Sequence, residues 1–249
     1  MSYKHILITG STGKLGRVIS ALESNLKLMT PKRAQLDIAD ISSVKNYFEN
    51  NKVDAVIHCA AMTDMRECEK SPNAALTTNT LGTLNLVNEV LRKKSSTRFV
   101  YISTDYVYPC TTGNYKESDA VSPYNVYAWS KFTGELAVKI LPNYSIIRTS
   151  FFDPDNVTFD TAPTDAFCSK IPVQELARGI LGLLESEFIG VINVGQERIS
   201  FYDLYRKYNP VILPTTLEEI SKNLPIKRAK DSSLDVTLWK KISAEIEDI

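Results

Sequence analysis

The stretch LITGSTGKLGR, residues 7–17, decides the fold class of this 249-residue chain. The apolar run HILIT, residues 5–9, predicts a short buried strand, and the apolar residues after the glycines recur at helical spacing. Gly10, Gly13 and Gly16 therefore lie where a strand turns into a helix, and such a turn needs positive φ or a missing Cβ. The first N–H groups of a helix carry a partial positive charge, so this turn suits a phosphate. A glycine-rich turn that binds nothing is the alternative, because the spacing differs from the commoner G-x-G-x-x-G fingerprint.

Strand-like and helix-like segments alternate through the first 150 residues. This alternation predicts an α/β fold with a Rossmann-like doubly wound parallel sheet, which binds ligands at the carboxyl ends of its strands. Residues 151–172 have three prolines and little periodicity, which indicates an irregular segment. The predicted strands are residues 5–9, 26–30, 54–60, 98–103, 144–150 and 190–195. The predicted helices are residues 14–24, 42–50, 71–94, 123–141, 173–187 and 200–208, with an amphipathic helix at the end of the tail LPIKRAKDSSLDVTLWKKI.

The composition narrows the class of protein. Lysine plus arginine equals aspartate plus glutamate, 29 each, so we expect no attraction to nucleic acid or to an anionic membrane. The four cysteines are scattered and the chain has two histidines, so no zinc-binding pattern is present in the sequence. Dispersed thiols in a chain of this length suit a reducing compartment. No apolar run reaches membrane length, and the first strand begins within about five residues of Met1, which leaves no room for a signal peptide. We expect a cytoplasmic protein with no metal, no nucleic acid and no membrane partner.

A second group of polar residues follows the strand RFVYIS and opens the helix at residues 123–141. Ser103 and Thr104 end the strand, and Tyr127 and Lys131 are four apart on the helix, so they share one face. A free phenol has a pKa of about 10, and a nearby ammonium lowers it towards values useful for proton transfer. Such a pair alone is more often surface packing. Along this chain a glycine turn is followed by a hydroxyl pair and then by Tyr-x-x-x-Lys, and this order favours a proton-donor site.

These motifs together resemble the extended short-chain dehydrogenase/reductase superfamily, and within it the dTDP-4-dehydrorhamnose reductase family. The resemblance implies an NAD(P)-binding Rossmann domain at residues 1–150 and a small substrate-binding lobe at residues 151–249, partly packed back on the sheet. It also implies an NAD(P)H-dependent oxidoreductase that delivers hydride to the C4 ketone of a nucleotide-linked 4-keto-6-deoxy sugar. The stretches that carry the resemblance are TGSTGKLG, LDIAD, AVIHCAAMTDMRECEKSP, NTLG, YISTDYVY, SPYNVYAWSKFTGE and IIRTSFF, with later echoes in DAFCSKIPVQELARGI, GVINVGQERISFYDL and RAKDSSLDVT.

The resemblance assigns roles residue by residue. Thr104, Tyr127 and Lys131 would be catalytic: Thr104 would bind the substrate oxygen, Tyr127 would give the proton, and Lys131 would hold the nicotinamide ribose and tune Tyr127. Asp105 and Tyr106 would face the sugar together with Thr104 and Tyr127. The glycines would turn under the pyrophosphate, Asp37 and Ile38 would lie beside the adenine, and Asn79 would tie a helix to the sheet. The full cofactor set is Gly10, Thr12, Gly13, Lys14, Leu15, Gly16, Lys32, Arg33, Asp37, Ile38, Ala60, Ala61, Thr63, Asn79, Tyr127 and Lys131.

The choice of cofactor depends on the end of the second strand, which reads LMTPKR. NAD-preferring sites usually place an acid there, whereas Lys32 and Arg33 would suit a 2′-phosphate. NADPH is therefore the predicted cofactor, with NADH as the alternative. A solvated basic turn is the competing interpretation of Lys32 and Arg33.

The segment after RTSFF departs from the family pattern, which has a helix leading to D-Q-x-G-x-P-T where this chain has only DPDNVTFDTAPTDAFCSKIP. The run Lys227, Arg228 and Lys230 has two interpretations, a diphosphate site or a solvated surface. We expect His58 to be a hydrogen-bonded core residue. Two alternative functions stay open: a nucleotide-sugar epimerase or dehydratase, and a non-catalytic cofactor-binding regulatory subunit. The resemblance also allows a homodimer.

Overall fold

The computed structural model describes residues 3–22, 26–93, 96–222 and 228–247. Through the first 150 residues strands and helices alternate, as the sequence predicts. In chain order they are β1 (His5–Thr9), α1 (Lys14–Ala21), β2 (Lys27–Met29), α2 (Ile41–Asn50), β3 (Ala55–His58), α3 (Met65–Lys70), α4 (Pro72–Ala75), a π-helical stretch (Leu76–Leu81), α5 (Gly82–Arg92), β4 (Arg98–Ile102), a 3₁₀ turn (Asp105–Val107), α6 (Val126–Val138) and β5 (Tyr144–Thr149).

The second part of the chain has shorter elements around one long helix. They are β6 (Phe151–Phe152), a 3₁₀ turn (Pro154–Asn156), β7 (Thr161–Pro163), β8 (Phe167–Cys168), β9 (Ile171–Pro172), α7 (Val173–Glu185), β10 (Gly190–Val194), β11 (Ile199–Ser200), α8 (Phe201–Arg206), β12 (Leu213–Thr215), α9 (Leu217–Ser221) and α10 (Thr237–Glu247).

Six strands form the central sheet, in the order β10-β5-β4-β3-β1-β2. Every neighbouring pair runs parallel. One buried apolar cluster joins α1, α7 and α10 to one face, and a second joins α2, α5 and α6 to the other. This doubly wound sheet confirms the predicted fold class. It also brings the ends of β1, β3 and β4 to one edge, where the predicted site residues follow.

The edge strand β10 comes from the second part of the chain. It pairs with β5 along its whole length, from Gly190 with Ser145 to Val194 with Thr149. The helix before it, α7, packs against α1. Residues 173–194 therefore lie on the central sheet, and the domain boundary at residue 150 stays a prediction.

Side-chain caps decide where two of the helices begin. Asp40 accepts a hydrogen bond from the Ser42 N–H and starts α2, and Asn125 accepts one from the Ala128 N–H at 2.7 Å and starts α6. The helix predicted over residues 71–94 is instead three consecutive pieces, with the π-helical stretch between α4 and α5. This stretch contains Asn79, whose side chain is fully buried.

Residues 151–172 form no α-helix, in keeping with the departure from the family pattern seen in the sequence. Two- and three-residue strands hold the segment: β6 pairs with β9, β7 with β12 and β8 with β11. A small apolar cluster that includes Phe152, Cys168 and Leu204 lies beneath it. Within the part of the chain that the structure describes, no helix combines the length and apolar character needed to cross a bilayer.

Candidate active site

The three glycines after β1 have different structural roles. Gly10 has φ of +69°, and a Cβ there would lie 2.6 Å from the Ala60 nitrogen. A Cβ on Gly16 would overlap the carbonyl oxygen of Gly10. A Cβ on Gly13 would instead meet one described atom within 4 Å, the Gly10 oxygen at 3.3 Å, so space lies open beside it. Gly10 and Gly16 are thus needed for packing within the protein, whereas Gly13 leaves room for a ligand.

This open space lies at the N-terminus of α1. Gly13 is the N-cap of the helix and has no side chain to accept from its first N–H groups. Thr12, Gly13 and Lys14 are exposed, whereas Leu15 is buried and holds the helix on the sheet. An uncapped helix start beside an open cradle fits the pyrophosphate of a dinucleotide.

The basic turn lies next to the glycine loop because the Ser11 hydroxyl donates to the Pro31 carbonyl at 3.3 Å. Lys32 and Arg33 are both exposed there. The Arg33 guanidinium also pairs with the Asp37 carboxylate at 3.0 Å, so Asp37 offsets part of the positive charge of the turn. Ile38 is buried and contacts the start of α5 at Gly82.

The loop after β3 forms the next side of the predicted cofactor trough. Ala60 and Ala61 are half-buried and Thr63 is exposed. Asn79 fixes this loop: its amide oxygen accepts from the Met62 N–H at 2.7 Å, and its amide nitrogen donates to the Met62 carbonyl and to Ser130. Both amide hydrogens of Asn79 are therefore used inside the protein. In a cofactor site Asn79 would hold the loop rather than donate to the cofactor.

His58 at the end of β3 is a core residue, as predicted. Its side chain is fully buried, and its ring nitrogens hydrogen-bond Thr9 at 2.6 Å and Thr83 at 3.0 Å. Since Thr83 donates to the Asn79 carbonyl, it accepts from His58 Nε2–H. Burial holds the pKa of His58 well below its usual value, so the ring is neutral.

Thr104 and Asp105 are buried where β4 ends, and Tyr106 beside them is half-buried. The Thr104 hydroxyl accepts from the Tyr106 N–H at 3.2 Å and caps the 3₁₀ turn, and it donates to Asp105 Oδ1 at 3.1 Å. Burial raises the pKa of Asp105 to about 6, against the lowering effects of Lys170, Ser232 and Thr104. The ring of Tyr106 meets that of Tyr124 edge to face, with centroids 5.6 Å apart.

The structure brings Tyr127 near Thr104, whose side chain acts to lower the pKa of the Tyr127 phenol against the effect of burial. Burial raises the pKa of Tyr127 well above its ordinary value, so its proton is present at neutral pH. The Lys131 ammonium lies 4.1 Å from the centroid of the Tyr101 ring, and burial lowers the pKa of Lys131 to about 7. The expected lowering of the Tyr127 pKa by Lys131 is therefore not seen in this arrangement, because the ammonium lies over Tyr101 and desolvation governs the phenol.

A buried ion pair that the sequence analysis missed supports α6 from beneath. Glu135, one turn after Lys131, pairs with Arg148 of β5 at 2.7 Å, and both side chains are almost fully buried. Glu135 also accepts from Ser103, and Arg148 donates to the Tyr108 hydroxyl at 2.9 Å. The visible signal was a glutamate at position i+4 from Lys131 on a helix that otherwise packs against the sheet.

A cavity of about 680 Å³ opens beside Tyr106 and Tyr124, between the sheet edge and the second part of the chain. Thr104, Tyr127 and Lys131 are not among its lining residues. Thr63, Tyr106 and Arg228 belong to its wall. Lys227 of the predicted basic run lies outside the described residues. The lining residues are Thr63–Arg66, Tyr106, Tyr124, Thr158–Pro163, Ala166, Phe201, Tyr205, Leu217, Ile220, Arg228 and Ala229.

The glycine turn at α1, the polar residues at the end of β4 and the cavity beside them agree with the family comparison. The model of the RmlD substrate binding domain matches residues 4–156. The chain belongs to this family. The resemblance drawn from the sequence is thereby confirmed at the level of the family.

Individual relatives differ in their described roles. The chain is 37% identical over 150 residues to a dTDP-4-keto-6-deoxy-D-glucose reductase of Streptomyces niveus. This alignment covers 58% of this chain and 51% of the relative. It is 31% identical over 144 residues to methionine adenosyltransferase 2 subunit beta of Pongo abelii, covering 54% of this chain and 42% of the relative. The chain thus spans about half the length of these curated relatives.

A solved structure extends the likeness to nearly the whole chain. The crystal structure of a dTDP-4-dehydrorhamnose reductase from Clostridium acetobutylicum superimposes with a TM-score of 0.83 at 29% identity, covering 98% of each chain. The second part of this chain therefore folds as it does in that reductase.

Proposed function

We propose that the protein is an NADPH-dependent reductase of a nucleotide-linked 4-keto-6-deoxy sugar. The observation that carries the proposal is the meeting of Thr104 and Tyr127 at the carboxyl edge of the sheet, beside a cavity of about 680 Å³. A cavity of this size suits a ligand much larger than the keto group alone. Support also comes from the dTDP-sugar reductases among the relatives and solved structures.

In the proposed reaction NADPH, when bound, supplies the hydride that reaches the C4 carbon of the ketone. Negative charge then grows on the carbonyl oxygen, and stabilisation at that atom lowers the barrier most. Tyr127 donates its proton to this oxygen, since burial keeps the phenol protonated at neutral pH. Thr104 donates a hydrogen bond to the same oxygen, and Lys131 would hold the nicotinamide ribose.

The proposed cofactor site uses the features already described. Gly10, Gly13 and Gly16 with Thr12 would hold the pyrophosphate at the start of α1. Lys32 and Arg33 would contact the 2′-phosphate that distinguishes NADPH from NADH. The loop from Ala60 to Thr63, fixed by Asn79, would form the side of the nicotinamide trough.

A regulatory subunit is the second candidate function, because one of the relatives is the beta subunit of a methionine adenosyltransferase. The complete group Thr104, Tyr127 and Lys131 favours the enzyme, because binding alone does not need all three. A nucleotide-sugar dehydratase is disfavoured because Asp105 is followed by Tyr106 rather than by a second acid. A homodimer and a cytoplasmic location stay predictions, the latter in keeping with four free thiols.

The deciding experiment measures NADPH oxidation by the full chain against a panel of nucleotide 4-keto sugars. Lys131→Met serves as the comparison, since it would lose turnover and cofactor affinity together. A wild-type protein that binds NADPH but reduces no sugar of the panel would contradict the reductase and favour the regulatory subunit.

A further inference from the structure

The Thr104 hydroxyl has one proton, and its hydrogen bonds determine which partner receives that proton. A threonine hydroxyl has one proton to donate and two lone pairs that accept. In the structure its proton goes to Asp105 Oδ1 at 3.1 Å, and the Tyr106 N–H occupies one lone pair at 3.2 Å. The second lone pair is open to the Tyr127 phenol, which lies near Thr104. With its proton on the Asp105 carboxylate, Thr104 cannot also donate to a substrate oxygen.

Protonation of Asp105 reverses this arrangement. A carboxylate accepts only, whereas a carboxylic acid has an O–H to donate. Neutral Asp105 would donate to Thr104 and occupy its second lone pair. The Thr104 proton would then be free for the ketone oxygen, and the Tyr127 proton would no longer be directed at Thr104.

We propose that the protonation state of Asp105 sets the direction in which the Thr104 hydroxyl donates, and that Lys170 is a positioning residue that governs this state. The inference rests on the proposed function. Asp105 transfers no proton to the product, since the proton that ends on the alcohol comes from Tyr127. The form with neutral Asp105 is the productive one.

Lys170 reaches Asp105 from the turn between β8 and β9. Its ammonium donates to the Phe151 carbonyl at 3.4 Å and acts electrostatically on Asp105. Burial disfavours the Lys170 cation, but Tyr205, Cys168 and Asp105 outweigh burial and raise its pKa. Lys170 thus stays charged and favours the ionised form of Asp105. The Ser232 hydroxyl, which donates to the same carboxylate, acts in the same direction without a charge.

Lys131 lies one helical turn beyond Tyr127 and has a pKa of about 7, but the titratable groups that act directly on Asp105 keep their charge between pH 5 and 8. Burial raises the pKa of each neighbouring phenol and thiol, that of Cys168 to about 11. Asp105 is therefore the member of this group that titrates in that range. The groups that face it from its own turn, from the approach to α6 and from β8 to β9 are Tyr106, Cys110, Tyr124, Tyr127, Cys168 and Lys170.

The first experiment follows the carboxyl band of Asp105 by infrared difference spectroscopy, which needs no turnover. The wild-type spectrum minus that of Asp105→Asn isolates one carboxyl group, which we expect to titrate near pH 6. Lys170→Met removes the cation and should raise that midpoint by about one pH unit. Lys170→Arg should leave it near the wild-type value, and Ser232→Ala should raise it by less than Lys170→Met. Equal midpoints in the wild type and Lys170→Met would overturn the role of Lys170.

The second experiment measures the pH profile of kcat/KM from pH 5 to 9, with NADPH and the 4-keto sugar that the protein reduces. In the wild type kcat/KM should fall above the Asp105 midpoint, about tenfold per pH unit. Lys131, whose pKa burial lowers to about 7, adds its own change to the profile of every variant. Asp105→Asn should abolish the part of the fall that comes from Asp105, because an amide donates to Thr104 at every pH. Lys170→Met should move the fall upward, so its kcat/KM near pH 7 should exceed that of the wild type by up to about tenfold.

The two readouts separate the inference from the proposed function. A wild-type inflection that persists unchanged in Asp105→Asn would overturn the inference while leaving a reductase. Absence of turnover with every sugar would overturn the proposed function, and the infrared titration would still decide the coupling between Asp105 and Lys170.

Discussion

The substitution Gly13→Val tests whether the open space at the N-terminus of α1 binds the pyrophosphate. Gly13 has φ of −75° and ψ of 171°, an extended conformation that any residue adopts, so Gly13→Val adds no backbone strain. Its Cβ would meet the Gly10 oxygen at 3.3 Å, which a small shift relieves. Glycine is also a better N-cap than valine by about 0.5–1 kcal/mol, so the fold should lose about that much free energy of unfolding. The branched methyl groups, however, fill the space reserved for the pyrophosphate, and NADPH affinity should fall at least about tenfold, or about 1.4 kcal/mol.

The assay pairs calorimetric titration of NADPH with thermal unfolding of the same samples. Gly13→Ala should fold like the wild type and lose less affinity than Gly13→Val, because its single methyl group fills less of the space. Gly16→Ala is the contrasting control, since its Cβ overlaps the Gly10 carbonyl and should cost about 1–3 kcal/mol of stability before any ligand is added. Unchanged NADPH affinity in folded Gly13→Val would show that the pyrophosphate does not lie at this helix start.

Three further predictions concern cofactor choice, catalysis and support of the site. Replacing Lys32 and Arg33 by alanine should weaken NADPH binding and leave NADH binding nearly unchanged; equal losses in the two titrations would count against a 2′-phosphate site. Tyr127→Phe should lower turnover by about 10²- to 10⁴-fold with little change in NADPH affinity, and retained turnover would exclude Tyr127 as the proton donor. Glu135→Gln leaves Arg148 buried without its partner and should cost about 3–5 kcal/mol in denaturant unfolding, a loss that Glu135→Asp should reduce.

The sequence was sufficient for the features that follow local periodicity. The glycine spacing after HILIT, the alternation of apolar strands with helices and the Tyr-x-x-x-Lys pair all depend on neighbours within one or two turns. The fold class and the family are confirmed. The roles of individual residues at the site stay predictions until the variants are measured.

What the sequence could not show depends on contacts between distant segments. GVINVG reads as an apolar strand, but only the structure shows that it pairs with β5 as the edge of the main sheet. The direction of a long side chain is equally invisible: the spacing puts Lys131 on the face of Tyr127, yet its ammonium lies over Tyr101. The partnership of Glu135 with Arg148 joins a helix to a strand, and the spacing of Glu135 from Lys131 does not identify Arg148 as its partner.

The position of β10 determines which piece of this chain can be cut out and studied alone. A fragment ending where the family match ends, at residue 156, would lack both the edge strand and α7. β5 would then show an unpaired row of N–H and C=O groups, the kind of edge that recruits other chains and aggregates. The apolar side of α1 would also lose its covering helix. The segment matched by the family model is therefore shorter than the segment that forms the sheet, and the shortest fragment that keeps all six strands extends to Val194.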